Sequence, residues 1–267
     1  MGRTVATAFG DAHVLLTGAS RGLGRVLAGE LAGRGARVSL VARDQALLET
    51  VAQEMGGAAF PADLTVIEQV SGLVERVEQA SGPIDVVINN AASFWLKPLE
   101  DLETEQLTAT IAVNLIAPAE IIRTVLPRMR ERGRGHIVNV ASLGGVMAIP
   151  DLAAYGASKA GLAHLTEILR TELRGAPIGL TLIQVAAIEG TDMYHDGMES
   201  PMIDRLVRRA GRFGLTMSEP VYLVARRIAD AVEQGRSSRV VPAVATGFHL
   251  LRRSPIAIAA LLNAHRG

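Results

Sequence analysis

The chain has 267 residues, 27 basic and 27 acidic, no cysteine, and 49% hydrophobic side chains of which few are aromatic. That length fits one large domain with an ample apolar core, while balanced charge and scarce aromatics argue against a nucleic-acid partner. Without cysteine there are no disulfides and no thiolate metal sites.

The first residues, MGRTVATAFGDAHVLLTG, hold no uninterrupted apolar core ahead of a small-residue cleavage site, and no apolar run reaches the roughly 18 residues of a membrane helix. A soluble cytoplasmic protein is the expectation. Strand-like runs then recur in chain order at 13–17, 37–41, 58–61, 84–89, 136–141, 179–185 and 239–241. Between them the pattern predicts helices over 21–34, 45–55, 66–80, 103–130, 152–174 and 219–233. The strands are solidly apolar (VVIN, HIVNVAS, LTLIQVA), which suits a sheet covered on both faces. Strand and helix alternating throughout give a Rossmann-type, doubly wound parallel α/β sheet in a single domain. Residues 1–12 read as an N-terminal extension, 13–243 as the α/β domain, and 244–267 as an apolar helical tail. The least regular stretch, 188–217, reads as a substrate lid.

The first strand leads into a turn with Gly18, Gly22 and Gly24, and then into a helix. Glycines let backbone approach an anion and let helix pack on strand, and the free N–H groups of the helix start face a bound phosphate. A βα turn that merely uses glycines is the plainer reading. The spacing differs from G-x-G-x-x-G. It is instead TGASRGLG, which resembles the short-chain dehydrogenase/reductase family. Further residues carry the same resemblance from about Val14 to Val241: Asp63 and Leu64 after the third strand, Asn89-Asn90-Ala91-Ala92 after the fourth, Asn114 in VNL, Ser142 after the fifth, and Tyr155-x3-Lys159 in the next helix.

The resemblance implies a nucleotide-dependent oxidoreductase. Its cofactor residues would be Gly18, Ser20, Arg21, Gly22, Leu23, Gly24, Arg43, Asp63, Leu64, Asn90, Ala91, Ala92, Tyr155, Lys159 and Thr191, with Asp63 at the adenine amino group and Lys159 on the nicotinamide ribose. Its catalytic residues would be Asn114, Ser142, Tyr155 and Lys159. Ser142 would bond the substrate carbonyl, Tyr155 would exchange the proton, and Asn114 would hold a water linking Lys159 to solvent. Tyr155 and Lys159 share a helix face at i and i+4, so the ammonium is expected to pull the phenol down toward the working pH. Two departures stand out: Ala92 where the family has glycine, and Ala186-Ala187 where it has Pro-Gly ahead of Thr191.

In NAD users an acidic residue closes the second strand and grips the ribose 2′-hydroxyl. Here Ala42 holds that place and Arg43 follows, so Arg21 and Arg43 are expected to converge on a 2′-phosphate, favouring NADP(H) over NAD(H). The expected reaction interconverts a small-molecule carbonyl compound and a secondary alcohol by hydride transfer. The alternatives are an isomerase, epimerase or dehydratase on the same fold, or a non-enzymatic nucleotide sensor. By position Phe94, Trp95, Leu143, Ile149, Met193 and Tyr194 line the substrate pocket, which suits an apolar or bulky carbonyl. His195 and Asp196 lack further ligands at helical spacing, so no metal is expected. The basic patches RMRERGRGH and RLVRRAGR read as solvated faces. Family members are commonly homodimers or homotetramers, with dimer helices corresponding to 103–130 and 152–174. In the tail, Ser254 and Pro255 would start a helix over 256–265, covered by the chain's own substrate side or a neighbouring subunit in preference to a membrane surface.

Overall fold

The computed structural model describes residues 9–200 and 218–243. Residues 1–8 of the N-terminal extension, the 201–217 part of the lid and the whole 244–267 tail, with its helix, lie outside the described residues.

Five βα units and a sixth, interrupted one follow in order: β1 (His13–Thr17), α1 (Gly22–Gly33), β2 (Arg37–Ala42), α2 (Gln45–Met55), β3 (Ala58–Pro61), α3 (Ile67–Ser71), α4 (Leu73–Ser81), β4 (Val86–Asn89), α5 (Thr104–Ile111), α6 (Ala117–Arg132), β5 (Gly135–Ser142), α7 (Ala153–Glu172), β6 (Ile178–Val185), β7 (Ala187–Glu189), α8 (Asp192–Met198), β8 (Ser218–Pro220), α9 (Val221–Glu233) and β9 (Ser238–Val241). Seven strands form one parallel sheet in the order β3-β2-β1-β4-β5-β6-β9. Strand order reverses between β1 and β4, in register at Leu16↔Ile88, and such a reversal opens a crevice at the carboxyl ends of the strands.

The solid apolar strands now have their reason. Val14 and Leu16 face a core with α1, α2 and α9 through Leu27, Leu48 and Ile228. Leu15 faces the opposite core with α4, α6 and α7 through Leu73, Ile121 and Leu169. Successive strand residues point to opposite faces, so a sheet buried on both sides needs apolar residues at every position.

Three elements differ from the sequence reading. The helix expected over 66–80 breaks at Gly72 into α3 and α4. The helix expected over 103–130 contains a π turn at Ala112–Ile116. The helix expected from 219 starts at Val221, because Ser218–Pro220 pairs in parallel with Ala187–Glu189 as a separate two-stranded sheet. Mean hydropathy also reaches 1.5 within Thr104–Arg132, enough by length and composition for a membrane span, which counting uninterrupted runs overlooks. Burial of Ile121, Val125 and Met129 against the sheet accounts for that apolar content.

Candidate active site

The glycine-rich turn sits at the strand-order reversal. Gly18 has φ +69°, and a Cβ there would stand 2.7 Å from the Ala91 Cα. A Cβ on Gly24 would run into the Gly18 carbonyl oxygen. These two glycines therefore bring β1, α1 and the β4 loop into contact, where no side chain fits. The contact is pinned by Thr17, whose Oγ1 accepts from the N–H groups of Asn90 (3.0 Å) and Ala91 (3.1 Å). Asn90 Nδ2 donates back to the Thr17 carbonyl at 3.0 Å. Arg21 is the N-cap of α1 but makes no side-chain capping bond, so the N–H groups of the first turn have no side-chain partner from that cap. Ala92, where the family has glycine, is exposed and outside the left-handed region, so alanine fits without backbone strain.

At the far end of the turn, Ala42 closes β2 and is buried. The next acid, Asp44, is engaged as the N-cap of α2, accepting from the Leu47 N–H at 3.1 Å. Exposed Arg43 and Arg21 are therefore the charged groups flanking this stretch, and each has its own acidic neighbour. Arg43 acts on Asp63, and Arg21 Nη1 lies 3.9 Å from Asp192 Oδ2. Burial opposes ionisation of Asp63, but the N–H and hydroxyl of Thr65 (2.9 and 2.7 Å), together with Arg43, hold its carboxyl below the usual range. Leu64 beside it is buried.

The reacting groups gather above β5. Tyr155 is 7% exposed and Lys159 2%. Ser142 Oγ accepts from the Gly144 N–H at 3.0 Å and is bonded to the Tyr155 hydroxyl. Lys159 Nζ donates to the Val140 carbonyl at 2.9 Å. Burial pushes the Lys159 ammonium down from 10.5 to about 8. The same burial pushes the Tyr155 phenol up from 10.0, with the Ser142 hydroxyl pulling the other way. Lowering of the phenol by Lys159 was the expectation; instead burial raises it and only the Ser142 hydroxyl opposes, so the phenol is protonated at neutral pH.

Asn114 lies in the π turn, fully buried. Its Oδ1 accepts from the Ser93 N–H (2.7 Å), and its Nδ2 donates to the Ser93 carbonyl and to Ser158 Oγ, both at 2.9 Å. Ser158 in turn donates to the Tyr155 carbonyl at 2.7 Å. The side chain of Asn114 thus ties the β4 loop to the helix that carries Tyr155 and Lys159. Ser158 was not singled out in the sequence; nothing marks it there except its place inside Tyr155-x3-Lys159.

Beyond Tyr155 opens a cavity of about 170 Å³. Phe94, Leu143, Ile149, Met193 and Tyr194 line it as expected, and Met147, Leu152 and Met198 join them. The Phe94 ring meets the Tyr155 ring edge-on at 5.3 Å. Trp95 is not in the wall; it is 41% exposed, a correction to the sequence reading. Where Pro-Gly is missing, Ala186 N–H donates to the Val241 carbonyl (2.8 Å) and 187–189 form β7, so the loop has a defined path. It delivers Thr191 to the cavity wall, with its methyl 3.6 Å from where a Gly22 Cβ would stand. Thr191 also caps α8, and on that helix His195 is exposed and meets Tyr194 edge-on at 6.0 Å.

Residues 12–201 match the short chain dehydrogenase family profile. The chain is a short-chain dehydrogenase/reductase. It is 38% identical to a ketoacyl reductase of Nostoc over 68% of this chain and 66% of that protein. It is 35% identical to a fatty acyl-CoA reductase of Mycobacterium tuberculosis over 90% of this chain and 79% of that protein. Among solved structures, a metagenomic short-chain oxidoreductase in complex with NADP superposes with a TM-score of 0.70 at 30% identity, covering 88% of this chain and 97% of the other. The chain thus spans about two thirds of the Nostoc protein and more of the mycobacterial one.

Proposed function

We propose that this short-chain dehydrogenase/reductase interconverts a carbonyl compound and a secondary alcohol with NADP(H). One observation carries the reading: a buried, protonated tyrosine, bonded to a serine hydroxyl, faces an apolar cavity beside a glycine-built nucleotide crevice. The crevice suits a dinucleotide. The uncapped first turn of α1, at Gly22 and Leu23 with Ser20 before it, would take the pyrophosphate. Asp63 and Leu64 would hold the adenine, and Asn90 to Ala92, Lys159 and Thr191 the nicotinamide half. The engaged Asp44 and the exposed Arg21 and Arg43 favour a 2′-phosphate over a bare hydroxyl.

When bound, the nicotinamide supplies a hydride to the carbonyl carbon and is itself oxidised, or takes the hydride back in reverse. The chain's part is to orient and to move a proton. The Ser142 hydroxyl holds the carbonyl oxygen, and the Tyr155 hydroxyl gives that oxygen its proton as the C=O becomes CH–OH. A phenol kept neutral by burial is in the protonation state that can donate to the carbonyl oxygen. The similar ketoacyl and fatty acyl-CoA reductases are consistent with carbonyl reduction. NADPH absorbance with a panel of ketones tests the reaction. Tyr155→Phe should abolish turnover while leaving NADPH affinity within a few-fold, and a variant that turns over at a comparable rate would sink the assignment. We further propose a homo-oligomer. An exposed apolar groove of about 520 Å³ between α6 and α7, lined by Ile122, Leu126, Leu165 and Leu169, supports it, and a monomeric mass by light scattering would refute it.

A further inference from the structure

We infer that the substrate is a ketone on an unbranched hydrocarbon chain, with one arm filling the cavity and the other leaving along the strip Phe94–Leu99. The inference rests on the carbonyl-reducing reading above and narrows it.

The cavity wall is mostly apolar: Leu143, Met147, Ile149, Val185, Met193 and Met198 surround the reacting groups, with side-chain hydroxyls contributed by Ser142, Tyr155, Thr191 and Tyr194. Among the described residues no charged side chain lines it. A carboxylate or phosphate placed there would be desolvated without a partner, and a polyol would leave hydroxyls unbonded, both at a cost of several kcal/mol. Anionic and sugar-like substrates are therefore disfavoured within the cavity. Three methionines in one wall give it flexible, polarizable sides that adapt to a chain with many rotamers.

Size supplies the second step. A pocket that encloses a drug-sized ligand needs roughly 300 Å³ or more, and this cavity holds about 170 Å³. Only one arm of a longer molecule fits inside, and the inferred route for the other is past Phe94, whose ring edge abuts Tyr155. The exit is built. From Phe94 the chain continues through Trp95, 41% exposed, to Leu99, 55% exposed. The Lys97 N–H donates to the Asp151 carbonyl at 3.0 Å, which fastens this strip to the loop whose Ile149 and Leu152 line the cavity. Two large apolar side chains left in solvent, one and five residues along the chain from Phe94 in the cavity wall, would provide a surface for a hydrocarbon arm.

The test uses 2-alkanones from 2-butanone to 2-dodecanone with the full chain at saturating NADPH. Each methylene buried should raise kcat/KM by about fourfold while the cavity fills. Trp95→Ala and Leu99→Ala should then lose progressively more activity the longer the ketone. Trp95 is the chain's single tryptophan, so its fluorescence reads the strip directly. Unreactive n-alkanamides of the same lengths should perturb it with affinity rising along the series. Ketones reduced with no dependence on chain length, or a 2-oxo acid preferred over the matching ketone, would overturn the inference and leave the reaction standing. Amides that bind with rising affinity while no ketone is reduced would uphold the hydrocarbon site and overturn the reaction.

Discussion

Replacing Lys159 by methionine separates the cost of a buried charge from the loss of a hydrogen bond. Lys159 is 2% exposed, and burial holds its ammonium at about 8 instead of 10.5. At about 1.4 kcal/mol per pH unit, the charged form costs the fold about 3 kcal/mol at neutral pH. The sign follows from proton counting. Below about 8 both the native and the unfolded chain carry the proton, and the cost is fully present. Between about 8 and 10.5 the unfolded chain keeps a proton that the native one has lost, so native stability rises with pH. Methionine fills similar space without charge, but it leaves the buried Val140 carbonyl without its donor, a penalty of about 1–3 kcal/mol that does not vary with pH. The difference in unfolding free energy, wild type minus Lys159→Met, should therefore climb by about 2 kcal/mol between pH 8 and 10. Urea unfolding of both proteins across that range measures it, and Tyr155, present in both, cancels to first order. Parallel pH curves would show that the ammonium is not desolvated, and the electrostatic account of the site would fail.

Charge-assisted bonds contribute about 1.5–3 kcal/mol each, so Arg21→Ala with Arg43→Ala together should cost NADPH about two to four decades of affinity and leave NADH nearly unaffected; equal NADPH and NADH binding by the wild type, read by titration calorimetry, refutes the arginine reading. Gly24→Ala forces a methyl into the Gly18 carbonyl and should abolish nucleotide binding, and a soluble variant with wild-type NADPH affinity would contradict it. Burial lowers the pKa of His13 below its ordinary 6.5, with its ring bonded to Ser39 Oγ at 2.8 Å. Stability should hold above about pH 6.5 and fall below it, as the unfolded chain takes up a proton the native ring resists; in His13→Gln that slope should flatten, and unchanged slopes in urea unfolding would refute it.

The sheet was legible because burial on both faces leaves a strong mark: VVIN and LTLIQVA have no polar face to hide. The reacting set was legible because Ser142, Tyr155 and Lys159 keep fixed spacing at a strand end and on a helix face. The π turn was not, since the apolar periodicity of 103–130 runs through it unbroken, and one extra residue per turn there leaves no compositional trace. Yet that turn carries Asn114 into its bonds with Ser93 and Ser158. The β7–β8 pair escaped for the opposite reason. Its strands read AIE and SEP, too short for alternation and containing a proline, and they are held by each other together with the Ser218–Glu189 bond at 2.5 Å. Trp95 was assigned to the pocket by adjacency to Phe94. Adjacency in sequence does not put two side chains in one wall, and the Trp95 side chain is left 41% exposed.

Desolvation acts in opposite directions on an acid and a cation, and the two reacting groups display both effects. It raises Tyr155, so the phenol keeps its proton at neutral pH, and it lowers Lys159 until the ammonium titrates at about 8. Near neutral pH the group able to change its charge is therefore the lysine. A tyrosine that had to act as a resting phenolate would need that balance reversed, by a cation close enough to outweigh burial. A tyrosine that donates its proton needs only what is here: an apolar wall to keep it neutral, Phe94 against its ring, and the Ser142 hydroxyl to ease the phenolate left once the proton has gone. The apolar cavity that selects the substrate is thus the same feature that keeps the proton donor loaded. Polar substitutions in its wall, such as Met147→Thr, should accordingly lower the Tyr155 pKa as well as weaken apolar substrates. A pH–rate profile for reduction whose alkaline limb moves to lower pH in that variant is the expected result; an alkaline limb unmoved while KM rises would separate the two roles and break the link.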